Sequence, residues 1–137
     1  MLQSVTARIH LKLHETTGNT PGEEMQALLR FQGIFYLLTG LWPFVHLESF
    51  VSVVGPMPDV FQLHVTSGLI VVIAGVLIAG SRRGEPASVV LGIASALTFV
   101  VLDVAYARIL RDIYWLDAAV EAAIAILLLV LVTRGRS

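Results

Sequence analysis

The sequence predicts an all-α protein: a four-transmembrane-helix bundle with a short N-terminal tail. Of 137 residues, 56% are hydrophobic and 14% are charged, with a mean hydropathy of +0.82. A soluble domain averages about 45–50% apolar and about 25% charged residues. Four apolar runs lie at 25–46, 60–80, 87–109 and 113–133, each near the ~20 residues that span a ~30 Å hydrocarbon core. Residues 25–137 therefore form one membrane domain.

Charge and cysteine content exclude several classes of function. The formal net charge is −1, without the basic stripe that phosphate binding needs, so we expect no nucleic-acid partner. Cysteine is absent, which excludes disulfides and thiolate metal ligands from this chain.

Residues 1–24 form the predicted N-terminal cytoplasmic tail, which lacks the apolar core and cleavage site of a signal peptide. Val5, Ile9 and Leu13 recur every fourth residue, so an interfacial helix over 2–14 is one alternative. We favour a weakly docked tail with the connection ETTGNTPG as a linker.

Capping signals mark the helix boundaries in order. The sequence TPGE at 20–23 is a capping box with proline at the first helical position, so the first helix begins before the hydrocarbon does. Asp59, three residues before Gln62, begins the second helix; Pro86 opens the third, and Asp112 or a neighbour opens the fourth.

The distribution of lysine and arginine predicts orientation, because basic residues near membrane ends stay in the cytoplasm. Seven of the nine lie beside the termini and the 81–86 loop: Arg8, Lys12, Arg30, Arg82, Arg83, Arg134 and Arg136. Only Arg108 and Arg111 lie at the opposite ends of the helices. We therefore predict a multi-pass protein of the bacterial inner (plasma) membrane with both termini cytoplasmic.

Three acids in the last two spans are the main functional signal. Asp103 precedes Asp112 by nine residues and Glu121 follows it by nine, so a tight turn at Asp112 would bring both to one level. Asp117 shares a helix face with Glu121, and Tyr106 with Asp103. Because a charge costs ~2.5–3.5 kcal/mol at the bilayer centre, we expect the acids to line a polar cavity in the outer half and one or more to be protonated or compensated.

A structural alternative is that Arg108, Arg111 and Tyr106 neutralise and hydrogen-bond the acids, forming a polar staple between helices. The two arginines lie nearer the turn than the acids do. They would therefore have to reach back along the helices to make these contacts.

Histidine and tryptophan complete the candidate site. His46 and His64 lack an HxxxH or ExxH partner, so we assign no metal site and leave the cofactor open. Pro43 removes a helical hydrogen bond to Thr39, which predicts a kink or an end near Trp42 and turns that ring inward. The candidate cavity residues are Asp103, Asp117, Glu121, Tyr106, Trp42, His46 and His64.

Small residues in the cytoplasmic half predict a closely packed stem, because they let helices approach each other. They lie on the second and third spans: Gly68, Gly75, Ala79, Gly80, Gly92 and Ala96. A contact between two copies of the chain is the alternative.

The segments GLWPFVHLESFVSVVGPMPD (40–59), LDVAYARI and YWLDAAVEA resemble an uncharacterised family of small four-span bacterial membrane proteins. The resemblance covers about 28–132 and includes a Trp-Pro pair, Ser-Phe, Gly-Pro and the late acids. Met57 stands where that family tends to have lysine, so any role of that lysine is absent. The resemblance implies the fold and no activity.

Three classes of function follow. The first is a cavity that binds or acts on a small amphipathic or lipid-like molecule from the outer leaflet. The second is an oligomeric proton- or cation-coupled transporter or channel, and the third is an accessory subunit of a larger membrane complex. No nucleophile motif specifies a reaction, so no catalytic residue is assigned.

The first prediction concerns topology. A reporter fused after Ser137 should be cytoplasmic and one inserted near Gly55 external, because seven basic residues flank the predicted inner ends of the helices. Paired reporters, one active only in the cytoplasm and one only outside, measure this. Labelling of the 81–86 loop in intact cells by an impermeant reagent would contradict it.

Overall fold

A computed structural model describes residues 20–109 and 111–135, which form five α-helices and no strand. In chain order these are α1 Pro21–Val45, α2 Leu47–Val54, α3 Val60–Ser81, α4 Pro86–Ala107 and α5 Ile113–Arg134. Every one except α2 is long and apolar enough to cross a membrane. The predicted all-α, four-span architecture is confirmed, and the chain is a multi-pass membrane protein. Most of the predicted tail, residues 1–19, lies outside the described residues.

Side-chain caps begin two of the spans where the sequence predicted them. The Glu23 amide donates to Thr20 Oγ1 (3.3 Å) while the Thr20 amide donates to Glu23 Oε2 (2.9 Å), completing the capping box. Asp59 Oδ1 accepts from the Gln62 amide at 3.1 Å. These bonds satisfy backbone donors that a helix N-terminus leaves free, and α1 accordingly starts four residues before the apolar run at 25.

The end of α1 lies slightly beyond its proline. Pro43 is buried inside α1, and the helix continues to Val45, where the His46 amide donates to the Trp42 carbonyl at 2.9 Å. His46 alone separates α1 from α2. The proline therefore lies in the last turn, and the chain changes direction immediately after it.

The four long helices are arranged as two hairpins around a common core. Helix α1 packs mainly against α3, and α4 mainly against α5; α1 also contacts α5, and α3 contacts α4. The core residues are Leu29, Tyr36, Ala74, Leu77, Ala96, Ile124, Ala125 and Leu128. The two hairpins are therefore joined along α1–α5 and α3–α4, and α3 lies diagonal to α5.

Glycines allow close packing at positions that only partly match the predicted stem. A Cβ on Gly33 would lie 3.1 Å from the Ala74 carbonyl, and one on Gly40 would lie 3.1 Å from the Ser67 carbonyl. Helix α3 thus presents Ser67 and Ala74 to α1.

The predicted stem is correct at Gly80 and Gly92 and wrong at Gly68 and Gly75. A Cβ on Gly80 would overlap the Ser88 side chain, whereas Gly68 and Gly75 have no atom within 4 Å of the corresponding position. Each of these two glycines follows a residue of the contact face, Ser67 or Ala74. One residue is a rotation of about 100° around a helix, which turns both glycines out of the α1 contact.

The second prediction concerns this packing. In Gly92→Ala the new Cβ would lie 2.7 Å from Gln32 Oε1 and 3.0 Å from Leu29 Cδ2, and overpacking of this kind costs ~1–3 kcal/mol. Thermal unfolding of the purified protein measures the loss. Gly75→Ala is the matched control, because it faces open space and should be neutral or stabilising. Equal melting of the two variants would contradict the packing described here.

Candidate functional site

A cavity of about 400 Å³ lies at the end of the bundle that carries α2, and all five helices contribute to its wall. Most of the wall is apolar: Phe35, Phe50, Val53, Val54, Leu63, Ile70, Phe99, Ile113, Leu116 and Val120. Asp103, Asp117 and Glu121 line it together, with Tyr36, Tyr114 and Trp42. The three acids that the sequence singled out thus border one apolar space.

Tyr36 and Glu121 form the hydrogen bond that joins α1 to α5. The Tyr36 hydroxyl donates to Glu121 Oε2 at 2.8 Å, and both residues are almost completely buried. The Tyr36 ring packs edge-on against Phe99 of α4, with centroids 5.3 Å apart. A short bond to an acid oxygen between two buried residues fixes the relative position of the helices that carry them.

Gln32, one turn before Tyr36, extends this network to α4. Its Nε2 donates to Tyr36 Oη at 3.1 Å and to the Gly92 carbonyl at 2.9 Å, and it also lies 3.5 Å from Ser95 Oγ. Its Oε1 is buried with no hydrogen-bond partner among the described residues and lies 2.7 Å from the position that a Cβ on Gly92 would take. A glycine at 92 is therefore what gives the amide room.

Asp103 and Asp117 form the second polar group, between α4 and α5. Both residues line the same cavity, and their carboxyl groups are close enough to interact with each other. Asp103 is only 6% exposed, and its Oδ2 has no hydrogen-bond partner in the part of the chain that the structure describes. Two neighbouring carboxyl groups in apolar surroundings cannot both carry a negative charge without compensation. The pair therefore needs a shared proton or a bound cation.

The pairing of the acids differs from the one that the sequence predicted. Helix α4 ends at Ala107 and α5 begins at Ile113, so the centre between the two helices lies two positions before Asp112. Asp103 and Asp117 are each seven residues from that centre, so Asp103 faces Asp117. Glu121 lies one turn deeper and contacts Tyr36. Moving the midpoint back by two residues changes the partner of Asp103 by four residues, from Glu121 to Asp117, which is about one helical turn.

The arginines near the turn do not form the alternative staple. Neither Arg108 nor Arg111 makes an ion pair with the three acids within residues 20–109 and 111–135. Arg111 Nη1 instead donates to the Ser52 carbonyl at 2.8 Å, and its side chain lies beside Gly55. Arg111 thereby fastens α2 to the start of α5.

Trp42 and α2 close one end of the cavity. Trp42 Nε1 donates to Ser49 Oγ at 2.7 Å, and the indole packs edge-on against Phe50 with centroids 5.7 Å apart. Both aromatic rings line the cavity. The direction change after Pro43 therefore places α2 across the end of the bundle, where its apolar side covers the cavity.

Three sequence candidates lie outside the cavity lining. His46 Nδ1 accepts from the Ser49 amide at 3.2 Å and caps α2. His64 stacks on Phe44 with centroids 4.8 Å apart, and Tyr106 is 51% exposed on the bundle surface. Among the described residues, no group of three or more His, Asp or Glu side chains has a metal-site arrangement.

Four residues of the site were not predicted from the sequence: Gln32, Tyr36, Ser95 and Tyr114. The signal for the first two was present, because Gln32 and Tyr36 are four residues apart inside an apolar run and share a helix face. A polar residue within a membrane span normally faces the bundle interior. For Tyr114 there was no such signal, since aromatic residues at span ends commonly lie at the interface.

Comparison of the chain with protein-family models, with curated proteins and with solved structures found no match.

The third prediction concerns the bond between α1 and α5. Tyr36→Phe removes the donor to Glu121 and an acceptor of Gln32, and leaving a buried polar group unsatisfied costs ~1–3 kcal/mol. Unfolding of the purified protein should show this loss, whereas Tyr106→Phe, at an exposed tyrosine, should melt as wild type. Wild-type stability of Tyr36→Phe would mean that this bond does not hold the hairpins together.

Proposed function

We propose that this integral membrane protein binds a small amphipathic, lipid-like molecule in the cavity at the α2 end. The observation that carries the proposal concerns Asp103, which lines a mostly apolar cavity of about 400 Å³ and whose buried Oδ2 has no hydrogen-bond partner among the described residues. Buried polar atoms are almost always hydrogen-bonded. A ligand that donates to this oxygen satisfies it.

The shape and chemistry of the cavity favour an amphipathic ligand. Its volume is within the range of about 300–1,000 Å³ that is usual for small-molecule sites. Apolar walls take up an apolar body, and each square ångström of apolar surface removed from water contributes about 25 cal/mol. The acids are positioned to hold the polar end, and Trp42 and Phe50 cover the site.

The charge distribution supports access from the outer leaflet. Arg82 and Arg83 lie in the loop at the opposite end from α2, and basic loops stay cytoplasmic. The α2 end then faces outward, and an amphipathic molecule reaches the cavity from the outer leaflet or the solvent beside it.

The fourth prediction tests binding with 1-decanol and the fluorescence of Trp42. Trp115 lies outside the cavity lining, so Trp115→Phe leaves Trp42 as the only tryptophan and as the reporter. In phosphatidylcholine nanodiscs, decanol should change this fluorescence saturably. Val120→Phe fills the cavity and should weaken binding at least about tenfold. Thr66→Phe, in the α3 wall, should do the same.

The matched control is Val101→Phe, which adds the same bulk at an exposed position of α4. It should bind decanol as the background does. If Val101→Phe and both cavity variants bind decanol equally, the decanol is in the lipid and the proposal fails.

A separate experiment identifies the natural ligand. Mass spectrometry of molecules that co-purify with the protein should detect this ligand with the wild-type protein and not with Val120→Phe.

A further inference from the structure

The polar groups of the cavity are unevenly supplied with hydrogen-bond donors. The Trp42 indole donates to Ser49, Tyr36 donates to Glu121, and Thr39 donates within its own helix. Among the described residues that line the cavity there is no lysine, arginine or histidine. The hydroxyl groups of Thr66 and Tyr114 also line the cavity, but Asp103 Oδ2 accepts a hydrogen bond from none of the described residues, so a molecule that supplies donors would satisfy it.

We propose that the ligand is a lipophilic amine whose ammonium group binds between Asp103 and Asp117. This inference depends on the proposed function and names its ligand class. The apolar body of the amine occupies the space between Phe50, Phe99 and Leu116. An ammonium group has up to three donors and one positive charge, which match an acid pair with an unpartnered oxygen.

Charge balance favours exchange of a proton for the amine. Asp103 and Asp117 line one mostly apolar cavity, where two neighbouring carboxyl groups hold one proton between them because two negative charges there would repel each other, so the empty pair carries a net charge of about −1. When the protonated amine binds, it donates to both carboxylates and the shared proton leaves for the solvent. Two carboxylates with one ammonium again carry a net charge of about −1, so the buried charge is unchanged.

Other titratable groups near the pair do not take over this exchange. From α5, Tyr114 and Glu121 face the same cavity, and from α1, Tyr36 does. Glu121 already accepts a hydrogen bond from the Tyr36 hydroxyl at 2.8 Å. It lies one helical turn further from the α4–α5 connection than Asp117 does. The parts of α2 and α3 that line the cavity contribute no titratable side chain.

Comparing an amine with an alcohol of the same chain length separates the contribution of the charge to binding from the contribution of apolar burial. Decanol matches decylamine in its apolar body but offers a single neutral donor, so it leaves the shared proton in place. The quantity to compare is the ratio of the Kd for decanol to the Kd for decylamine. It is measured by Trp42 fluorescence of Trp115→Phe protein in phosphatidylcholine nanodiscs at neutral pH.

We expect the wild-type site to favour decylamine over decanol at least about tenfold. Asp103→Asn and Asp117→Asn should each reduce this ratio at least about tenfold, while Asp103→Glu, which keeps the carboxyl group, should recover part of it. Asp112→Asn is the matched control, because this acid is exposed in the turn and does not line the cavity. It should keep the wild-type ratio.

Calorimetry measures the number of protons that are released when the amine binds. Titration of decylamine in two buffers with different heats of ionisation should show release of about one proton per amine bound for wild type and Asp112→Asn. Asp103→Asn should release none, because its amide has no shared proton to give up. Decanol should release none from any of the proteins.

The outcomes separate this inference from the proposed function. If the ratio is the same in Asp103→Asn and Asp112→Asn, or if decylamine binding releases no proton, the amine site is wrong. The proposed function still stands in that case, provided that Val120→Phe weakens decanol binding. If Val120→Phe weakens neither ligand, both proposals fail.

Discussion

The hydrogen bond from Tyr36 to Glu121 is the contact on which the bundle's arrangement depends. Each hairpin packs well within itself, α1 on α3 and α4 on α5, so the relation between hairpins needs contacts of its own. Tyr36 supplies a directional contact, because its hydroxyl donates a hydrogen bond to Glu121 while it accepts one from Gln32. In lipid, apolar side chains gain little from meeting each other, so such polar bonds help to specify which helices pair.

The same contact divides the bundle into two halves with different properties. On one side of it Leu29, Leu77 and Leu128 are completely buried, and Gly92 brings α4 close to α1. On the other side, toward α2, the helices enclose the cavity with the Asp103–Asp117 pair. A rigid half therefore supports a half with space for a ligand.

Sequence reasoning went furthest where one local rule determined the outcome. Helix starts at Thr20 and Asp59 followed from capping chemistry, and the four spans followed from hydropathy. It failed where rotation about a helix axis mattered, because the polar pattern of a membrane helix leaves its facing direction weakly defined. Gly75 and Tyr106 face outward for this reason, and predicting the Asp103–Asp117 pairing required the actual end of α4 and start of α5.

The buried leucines below Glu121 have an electrical consequence. Leu29, Leu77 and Leu128 are completely buried, and tightly packed apolar side chains form a region of low dielectric constant across which a transmembrane voltage falls steeply. The membrane potential is worth about 2.3 kcal/mol per charge per 100 mV only for a charge that crosses the whole field. A charge bound beside Asp103 lies on the α2 side of these leucines, so binding it from that end would carry it across only part of the membrane field.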